Sequence, residues 1–285
     1  MGFVKILSIQ SSVAYGHVGN SAAVFPLQRL GHEVWPVLTV HFSNHTGYGA
    51  WRGPLLAASD VAEVITGIAE RGVLGEADAV LSGYQGDPAV GAVILDAVAQ
   101  VKAANPAAVY CCDPVIGDVG RGVFVRPGIP EYLREEVVPR ADIVTPNHFE
   151  LDFLTDRTTT TLPEVLDAAA ALQARGPQHV LVTSVRHDAS APDTLDVVAV
   201  GPDEAWAITT PLLPITPNGC GDVTAALFLA HLRTSGSVRT ALELTGSAVF
   251  AVLERTLAAG TREIQLVAAQ DDLASSTPRF SARRL

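Results

Sequence analysis

The segment TPNGCGDVTAALFLAHL, residues 216–232, introduces a long apolar run with two glycines and an aspartate. Gly219 and Gly221 permit backbone conformations that are closed to residues with a β-carbon, so amide N–H groups can converge where a helix begins. The positive end of the helix dipole lies at the same place. The segment therefore predicts an anion-binding site, of the kind that holds a phosphate group.

Asp222 follows these glycines, and its type and position allow two interpretations. As an acidic residue in the first turn of a helix, it could simply complement the helix dipole. Beside a phosphate site, it could act as a general base that takes the proton of an attacking hydroxyl group. A plain helix start does not need two glycines, so their presence favours the catalytic interpretation.

The common nucleotide-binding signatures are absent from the sequence. No Gly-Lys pair occurs, which excludes a Walker loop, and no complete G-x-G-x-x-G follows the first predicted strand. If the protein binds a phosphate, residues 219–222, which we call the anion-hole turn, are the candidates.

Composition and charge restrict the classes of partner. The 285 residues are 48% hydrophobic and 17% charged, as expected for a packed globular protein. The formal net charge is −11, and Lys and Arg form no run beyond the pair Arg283-Arg284. We therefore expect no binding to nucleic acid or to an anionic membrane surface.

Cysteine content and hydropathy favour a cytoplasmic protein. Three cysteines cannot build a disulfide framework, and they show no zinc-ligand spacing with the eight histidines. The opening residues lack the apolar core and the cleavage site of a signal peptide. No apolar run approaches the ~20 residues of a membrane span.

Short apolar strands alternate with amphipathic helices along the chain. The predicted strands cover residues 4–10, 33–42, 78–83, 108–114, 141–147 and 179–185, with a hairpin at 195–200 and 205–209. Helices are predicted at 20–31, before Gly72, at 88–102, near Pro130 and at 163–175, and helices fill the rest. This alternation predicts an α/β fold with a doubly wound, mostly parallel sheet and helices on both faces. No linker divides the chain, which predicts one domain over residues 1–285.

Polar residues predict where several helices begin and end. Asn20 is the predicted cap of the first helix and Gly31 its stop, Asp60 and Glu63 form a predicted capping box, and Asp87 caps a third helix. Ligands are expected in the loops at the carboxyl ends of the parallel strands.

Six segments together resemble the motifs of one enzyme family. The segment around Asp222 resembles the glycine-glycine-aspartate signature of the ribokinase-like superfamily. The segments SIQSSVAYGHVGNSAA, FSNHTGYGAW, VLSGYQGD, CDPVIGD and TPNHFE resemble, in this order, motifs of pyridoxal kinases. The resemblance extends from Ile6 to the terminal FSARRL. It implies a ribokinase-like fold, ATP-dependent phosphorylation of pyridoxal at its 5′-hydroxyl to give pyridoxal 5′-phosphate, and a homodimer.

The resemblance implies a role for each residue of the anion-hole turn. Asp222 corresponds to the general base that faces the 5′-hydroxymethyl group of the substrate. Gly219, Cys220 and Gly221 correspond to the anion hole that stabilises the phosphoryl group in transfer. Most relatives have another small or β-branched residue where Cys220 stands.

Four further residues, which we call the vitamin-side residues, match substrate contacts of the family. Ser11 corresponds to a hydrogen-bonding partner of the pyridine ring, Thr46 with Gly47 to a second contact, and Tyr84 to the aromatic residue against the ring face. Taken singly, Ser11 and Thr46 could be turn residues and Tyr84 an ordinary core residue. Their occurrence together favours the binding role.

For the nucleotide, the resemblance implies ATP, Mg²⁺ and a monovalent cation, K⁺ or Na⁺, as cofactors. Asp113 and Glu150 correspond to carboxylates that bind the metal, and Asp118 corresponds to a further carboxylate near the phosphates. From the residues alone, Asp113 could belong to a turn and Glu150 to the first turn of a helix. The other matching ATP contacts are Thr145, Asn147, Thr183, Thr210, Pro211, Leu212 and Leu213. Many bacterial relatives carry Lys where Thr183 stands.

The segment GDVGRGVFVRPG, residues 117–128, contains four glycines and two arginines. Its composition predicts a mobile loop, and it resembles the flap that closes over the reactants in this family. Arg121 would then meet a phosphate on closure. The alternative is that Arg121 belongs to a solvated surface loop.

Three functions remain as hypotheses at this point. The first is ATP-dependent phosphorylation of pyridoxal. The second is a hydroxymethylpyrimidine kinase, or a kinase of both heterocycles, because the superfamily scaffold accommodates either alcohol. The third is a carrier or sensor that binds pyridoxal or its phosphate without using ATP, but the retained Asp222 argues against it because binding alone needs no base.

Overall fold

A nine-stranded sheet forms the centre of the computed structural model, which describes residues 3–285. The strands are β1 (Lys5–Val13), β2 (Glu33–Phe42), β3 (Ala79–Ser82), β4 (Val109–Cys112), β5 (Gly117–Asp118), β6 (Gly122–Val123), β7 (Ile143–Val144), β8 (His179–Val185), β9 (Thr194–Val200), β10 (Ala205–Pro211) and β11 (Arg283–Arg284). The order across the sheet is β11-β10-β9-β8-β7-β4-β3-β1-β2, and β5 pairs with β6 in a separate hairpin.

Six neighbouring strands of this sheet are parallel, from β2 at one edge to β8. Strand β9 is antiparallel to both of its neighbours, and β11 is antiparallel to β10. The predicted mostly parallel sheet is confirmed. The carboxyl ends of the parallel strands share one edge, where ligands of such sheets bind.

Nine helices surround the sheet within the described residues. They are α1 (Asn20–Arg29), α2 (Ala58–Glu70), α3 (Pro88–Ala104), α4 (Ile129–Tyr132), α5 (His148–Thr155), α6 (Leu162–Gln173), α7 (Cys220–Ser235), α8 (Val238–Ala259) and α9 (Gln270–Leu273). None of the helices within residues 3–285 is long and apolar enough to cross a membrane.

The two faces of the sheet bury two separate hydrophobic clusters. Leu7 and Ile9 of β1 pack in a cluster with residues of α2, α3, α5 and α6. Ile6, on the opposite face of the same strand, packs in a cluster with residues of α1, α7 and α8. This is the period of two that an extended strand gives, and it confirms helices on both faces.

The start of α3 is as the sequence predicts. The Asp87 carboxylate accepts a hydrogen bond from the Ala89 amide at 3.0 Å, and Pro88 occupies the first helical position.

The end of α1 also agrees with the sequence. Gly31 follows α1 with a φ of 87°, a conformation that suits glycine. Both signals are confirmed.

The prediction that Asn20 caps α1 is wrong. The helix begins at Asn20 itself, and the cap is Gly19, which has a φ of 52° and a ψ of −132°. The Asn20 amide is buried and donates to the carbonyls of Ser8, Gln10 and Val37 at 3.0–3.3 Å. The side chain therefore joins β1 to β2, because a buried amide is most stable when backbone carbonyls satisfy it.

The predicted capping box of α2 and the predicted all-helical C-terminal region are also wrong. Helix α2 begins at Ala58, and its cap is Ala57, whose methyl side chain cannot form a capping hydrogen bond. Asp60 lies in the first turn and only complements the helix dipole. The terminal pair Arg283–Arg284 forms β11 against Trp206 and Ala207. A two-residue edge strand carries no periodicity from which it could be predicted.

Two buried histidines make the fold sensitive to acid. His231 lies in α7 and His32 precedes β2, and His231 Nε2 and His32 Nδ1 have no hydrogen-bond partner within residues 3–285. Burial lowers the pKa of His231 to about 4, and the nearby His32 lowers it further. Burial also lowers the pKa of His32. Both rings therefore stay neutral in the folded protein at pH values where the unfolded chain would protonate them.

We expect His231→Leu to remove one contribution to stability that is lost in acid. The contribution of His231 to the free energy of unfolding should fall by on the order of 3 kcal/mol as the pH drops from ~6.5 towards 4. Other titrating groups are common to both proteins, so the difference between variant and parent isolates His231. Urea denaturation between pH 4.5 and 7.5 measures this slope. His41→Leu is the control because His41 is exposed, and an unchanged slope in His231→Leu would contradict the assignment.

Candidate active site

The anion-hole turn forms the N-terminus of α7. Gly219 is the helix cap, with a φ of 93°, and the first intrahelical hydrogen bond runs from the Val223 amide to the Gly219 carbonyl at 3.1 Å. The amides of Cys220, Gly221 and Asp222 precede that bond, so the helix itself does not use them. They are the donors that an anion at this position would meet.

Close packing makes glycine necessary at position 219. A β-carbon there would collide with the carbonyl oxygen of His17 and would lie 3.0 Å from Ile264 Cδ1. The left-handed conformation is also unfavourable for any other residue. The positive φ and the lack of room for a β-carbon therefore both require glycine at position 219, where the backbone enters the first turn of α7.

Gly221 and Cys220 differ in what their side chains would do. A β-carbon on Gly221 would meet Asp113 Oδ2 at 3.7 Å, and Gly221 is exposed. The Cys220 thiol is partly buried, and burial, together with the nearby Asp222 charge, raises its pKa to about 12. The thiol therefore stays protonated and is a poor nucleophile at neutral pH.

Asp222 is partly buried in the first turn of α7. Burial raises the pKa of its carboxyl group to about 6, while hydrogen bonds from the Gly19 backbone and from its own backbone lower it. A carboxylate with a pKa near neutrality is suited to proton transfer at physiological pH. The geometry and the pKa therefore agree with the general-base interpretation.

Asp113 follows β4 and lies beneath the anion-hole turn. Its carboxylate is 5% exposed and accepts a hydrogen bond from Thr145 Oγ1 at 3.2 Å. Burial raises its pKa well above the usual range, and the charges of Glu150 and Asp222 raise it further. Three acidic side chains therefore lie close together at this edge of the sheet, where burial and mutual repulsion disfavour the charged form of Asp113.

Glu150 is held by backbone amides on both carboxylate oxygens. Oε1 accepts from the amides of Ile116 and Gly117 at 2.9 and 3.3 Å, and Oε2 accepts from the Asn147 amide at 2.9 Å. Burial raises its pKa to about 7, and these three hydrogen bonds lower it. Glu150 is thus the first-turn residue of a capping box, and it also anchors the start of the segment 117–128.

Other predicted ATP contacts lie around Glu150. Asn147 accepts from the Glu150 amide at 2.9 Å and donates to the Gly117 carbonyl at 2.8 Å. Thr183 of β8 forms an isolated bridge with Asn147. Asp118 is partly buried, and its carboxylate accepts a hydrogen bond from the Val119 amide at 2.7 Å. The structure therefore brings these residues together at the ends of β7 and β8.

The residues 210–213 stand further along the same edge. Thr210 and Pro211 end β10, which lies two strands beyond β8 in the sheet, and Leu212 follows with its amide bonded to the Asp193 carbonyl at 2.7 Å. Leu212 is 38% exposed and Leu213 is partly buried. Because β10 runs in the direction of β8, its carboxyl end faces the same side as Thr183.

Gly19 contacts both Ser11 of β1 and Asp222, so these two residues lie near each other. A β-carbon on Gly19 would collide with both the carbonyl and the hydroxyl oxygen of Ser11, and the Gly19 backbone hydrogen-bonds to Asp222. Tyr84 is partly buried and packs with Val13, Val40 and Phe42. The ends of β1, β2 and β3 therefore meet beside the anion-hole turn.

The segment of Thr46 and Gly47 also adjoins this turn. Both belong to a short 3₁₀ turn, Thr46–Tyr48, in which Thr46 is exposed. A β-carbon on Gly47 would lie 2.9 Å from His45 Nδ1 and 3.0 Å from Asn218 Nδ2. Since Asn218 immediately precedes Gly219, the vitamin-side residues and the anion hole are neighbours.

The segment 117–128 also contacts Asn218, the residue before the anion-hole turn. It contains the hairpin of β5 and β6, so the predicted loop is partly ordered. The Arg121 guanidinium donates to Asn218 Oδ1 at 3.2 Å and lies 4.8 Å from the centre of the Phe124 ring. An arginine is thus close to the anion-hole turn, although Arg121 itself is exposed.

Sequence reasoning missed Glu263, which follows α8. Its buried carboxylate accepts hydrogen bonds from the His17 amide, from His45 Nε2 and from the Tyr48 hydroxyl. These partners lie 215 to 246 residues away in the sequence, and a single glutamate in a loop has no spacing that would reveal such contacts.

Comparison with known proteins places the chain in a family. A family model described as phosphomethylpyrimidine kinase matches residues 76–266. The pyridoxal kinase PdxY of Rubrobacter xylanophilus is 61% identical over 285 residues, which cover 100% of this chain and 98% of that protein. The PdxY of Leifsonia xyli is 57% identical over 99% of this chain and 100% of that protein. The chain belongs to the pyridoxal kinase family.

Solved structures of this family share the fold. A pyridoxal kinase of Leishmania donovani, in complex with ADP and pyridoxamine, superposes with a TM-score of 0.90 at 28% identity and covers 98% of each chain. A putative phosphomethylpyrimidine kinase of Bacteroides thetaiotaomicron with pyridoxal gives a TM-score of 0.89 at 25% identity over 99% of each chain. The predicted family and its ribokinase-like fold are confirmed.

We expect Gly219→Ala to damage the site far more than Gly236→Ala. Both glycines flank α7 with positive φ, but a β-carbon on Gly236 would meet no heavy atom within 4 Å. Gly236→Ala should cost about 1 kcal/mol of stability and keep full activity. Gly219→Ala should lower kcat by about 10²-fold or more, because the displaced amides of the anion-hole turn would no longer donate hydrogen bonds to the phosphoryl group. Steady-state kinetics and thermal unfolding of both variants measure this, and equal activities would contradict it.

Proposed function

We propose that the chain transfers the γ-phosphoryl group of ATP to the 5′-hydroxyl of pyridoxal and forms pyridoxal 5′-phosphate and ADP. The observation that carries this proposal is the position of Asp222. Its carboxylate, with a pKa of about 6, stands at the N-terminus of α7 and beside the vitamin-side residues. One group can therefore reach an alcohol while neighbouring amides hold a phosphate.

The residues divide the reaction between them. Asp222 accepts the proton of the 5′-hydroxyl as that oxygen forms a bond to the γ-phosphorus, and the bond from phosphorus to the bridging β-phosphate oxygen breaks to release ADP. The amides at positions 220–222 stabilise the charge on the phosphoryl oxygens. Ser11, Thr46, Gly47 and Tyr84 hold the vitamin ring so that its alcohol meets Asp222.

The carboxylates fit a magnesium ion that is shared with the nucleotide. Within residues 3–285, no three His, Cys, Asp or Glu side chains are grouped to hold a metal by themselves. Mg²⁺ does not need such a cage, since it commonly uses one or two carboxylates together with phosphates and waters. Asp113 would hold the ion directly, because its Oδ2 faces the anion-hole turn at Gly221.

Glu150 suits a role through ordered waters, because backbone amides already engage both of its oxygens. Bound Mg²⁺ would neutralise phosphate charge, and it would oppose the burial and the nearby carboxylate charges that raise the pKa of Asp113. A monovalent cation, K⁺ or Na⁺, would add positive charge beside the phosphates, and the Asp118 carboxylate would help to hold the cations there. Thr145, Asn147, Thr183 and residues 210–213 would contact the rest of ATP.

A second function is favoured by the family model itself. Its description as phosphomethylpyrimidine kinase supports turnover of hydroxymethylpyrimidine, alone or beside pyridoxal. The Bacteroides neighbour of the same description contains pyridoxal, which supports the vitamin as the main substrate. A homodimer is part of the proposal, and sedimentation of the purified protein tests it.

We expect Asp222→Asn to lower turnover by a factor of about 10² to 10⁴ and to leave ATP binding nearly intact. In the parent, kcat/KM for pyridoxal should rise with pH through about 6 and then level, because the base must be ionised. The matched control is Asp60→Asn, since Asp60 is also the third residue of a helix. If the two variants are equally active, Asp222 only complements the helix dipole.

We expect pyridoxal to be the best acceptor in a coupled assay for ADP. The assay offers pyridoxal, pyridoxine, pyridoxamine and hydroxymethylpyrimidine in turn, at equal concentrations with saturating ATP and Mg²⁺. A larger kcat/KM for hydroxymethylpyrimidine would replace the first function by the second. ADP formation with none of the four, despite measurable pyridoxal binding, would indicate a carrier.

A further inference from the structure

Glu263 joins three segments that no sequence motif connects. Oε2 accepts a hydrogen bond from the His17 amide at 3.2 Å, and Oε1 accepts from His45 Nε2 at 3.0 Å and from the Tyr48 hydroxyl at 2.7 Å. Glu263 is 8% exposed. We propose that Glu263 is a positioning residue, which sets the vitamin-side turn Thr46–Tyr48 relative to the anion-hole turn.

The Glu263 carboxylate can accept hydrogen bonds from all three of these groups. The His17 amide and the Tyr48 hydroxyl donate, and a carboxylate opposite His45 requires its Nε2 to carry a proton. His45 Nδ1 has no hydrogen-bond partner within residues 3–285 and lies beside Gly47. Glu263 therefore fixes both the orientation of the His45 ring and which of its nitrogens bears a proton.

The fit around Glu263 is also tight. Gly16 has a φ of 90°, and a β-carbon there would collide with the Glu263 carboxylate. The hydrogen bond to Glu263, together with a smaller contribution from burial, raises the pKa of the Tyr48 hydroxyl to about 12, so it remains a donor. The carboxylate thus occupies a space that the loop after β1 leaves for it.

Residues adjacent to Glu263 extend the same connection. The Arg262 guanidinium donates to the Gly47 carbonyl and lies 4.2 Å from the centre of the Tyr48 ring. The backbone of Glu263 forms a parallel bridge with Asn218, and Ile264 Cδ1 packs at the position that a β-carbon on Gly219 would approach to 3.0 Å. The segment 262–264 therefore contacts the vitamin-side turn and the anion-hole turn at once.

This inference rests on the proposed function, in which an alcohol held near Thr46 must meet Asp222. Displacement of a bound reactant by about 1 Å is enough to cost on the order of 10²-fold in rate. Loss of the Glu263 contacts should move the acceptor alcohol, whereas the nucleotide contacts near Glu150 lie on another part of the sheet edge. The effect should therefore fall on the vitamin and spare ATP.

The test compares Glu263→Gln with Glu243→Gln. The glutamine keeps the shape of Glu263, but its amide nitrogen would face either the His17 amide, which can only donate, or His45 and Tyr48, which would have to exchange their donor roles for acceptor roles. Glu243 is a matched control because it is 9% exposed and accepts hydrogen bonds from Arg239 Nε and the Ala282 amide at 3.0 and 2.8 Å. Melting temperature, KM for pyridoxal, KM for ATP and kcat are measured for both variants and the parent.

We expect Glu263→Gln to lower kcat/KM for pyridoxal by about 10- to 100-fold, through a lower kcat because the alcohol is displaced and a higher KM because the vitamin-side turn is no longer held, with the KM for ATP within about twofold of the parent. Glu243→Gln should keep the parental KM for pyridoxal, whatever stability it loses. Tyr48→Phe should raise the KM for pyridoxal in the parent but have little further effect in the E263Q background, because the contact it removes is already broken.

Two results would overturn the inference. One is a parental kcat/KM for pyridoxal in Glu263→Gln, and the other is an equal loss of kcat/KM in Glu243→Gln, which would mean general destabilisation. The proposed function fails separately, if the parent does not phosphorylate pyridoxal. The same comparison is then made with the alcohol that the parent does phosphorylate, so the role of Glu263 is still decided.

Discussion

The site depends on one close contact, between Gly219 and the carbonyl oxygen of His17. This approach is open only to a residue without a β-carbon, and the left-handed conformation of Gly219 is unfavourable for any other residue. The same contact fixes how far the loop after β1, which carries His17 and Gly19, lies from α7. In the proposed function, binding of a phosphate and placement of the acceptor alcohol would both depend on this backbone geometry.

The electrostatics of the site follow from where the fold buries its carboxylates. Asp113, Glu150 and Asp222 are drawn together at one sheet edge in a chain whose net charge is already −11. Burial raises the pKa of each, to about 7 for Glu150 and about 6 for Asp222. Such a cluster is costly unless cations or backbone donors compensate it. The helix N-terminus and the amides around Glu150 supply part of this compensation, and a metal brought with the nucleotide would supply more.

The parts of the fold that the sequence predicted are those with strong local signals. Apolar strands, the Asp87 cap and the Gly219–Asp222 turn depend on a few adjacent residues, and these were identified correctly as elements. The predictions that Asn20 and Asp60 cap helices are wrong. Residue type shows that a side chain is able to cap a helix, but the tertiary fold decides whether it does. Asn20 instead satisfies carbonyls of two strands that only the tertiary fold brings together. The two-residue strand β11 was missed because it has no pattern.

Glu263 shows why the site itself could be predicted only in part. Its partners His17, His45 and Tyr48 belong to the first fifth of the chain, whereas Glu263 follows the last long helix. A sequence motif consists of residues that contact the reactants. A residue that sets the distance between two motifs need not contact either reactant, so no motif identifies it. The vitamin-side loops come from the first strands and the anion hole from α7, so their relative position has to be set by a contact of high sequence separation. A buried, acceptor-only carboxylate with three donors around it meets that requirement, because its hydrogen bonds are directional and leaving any of the three donors unpaired is costly.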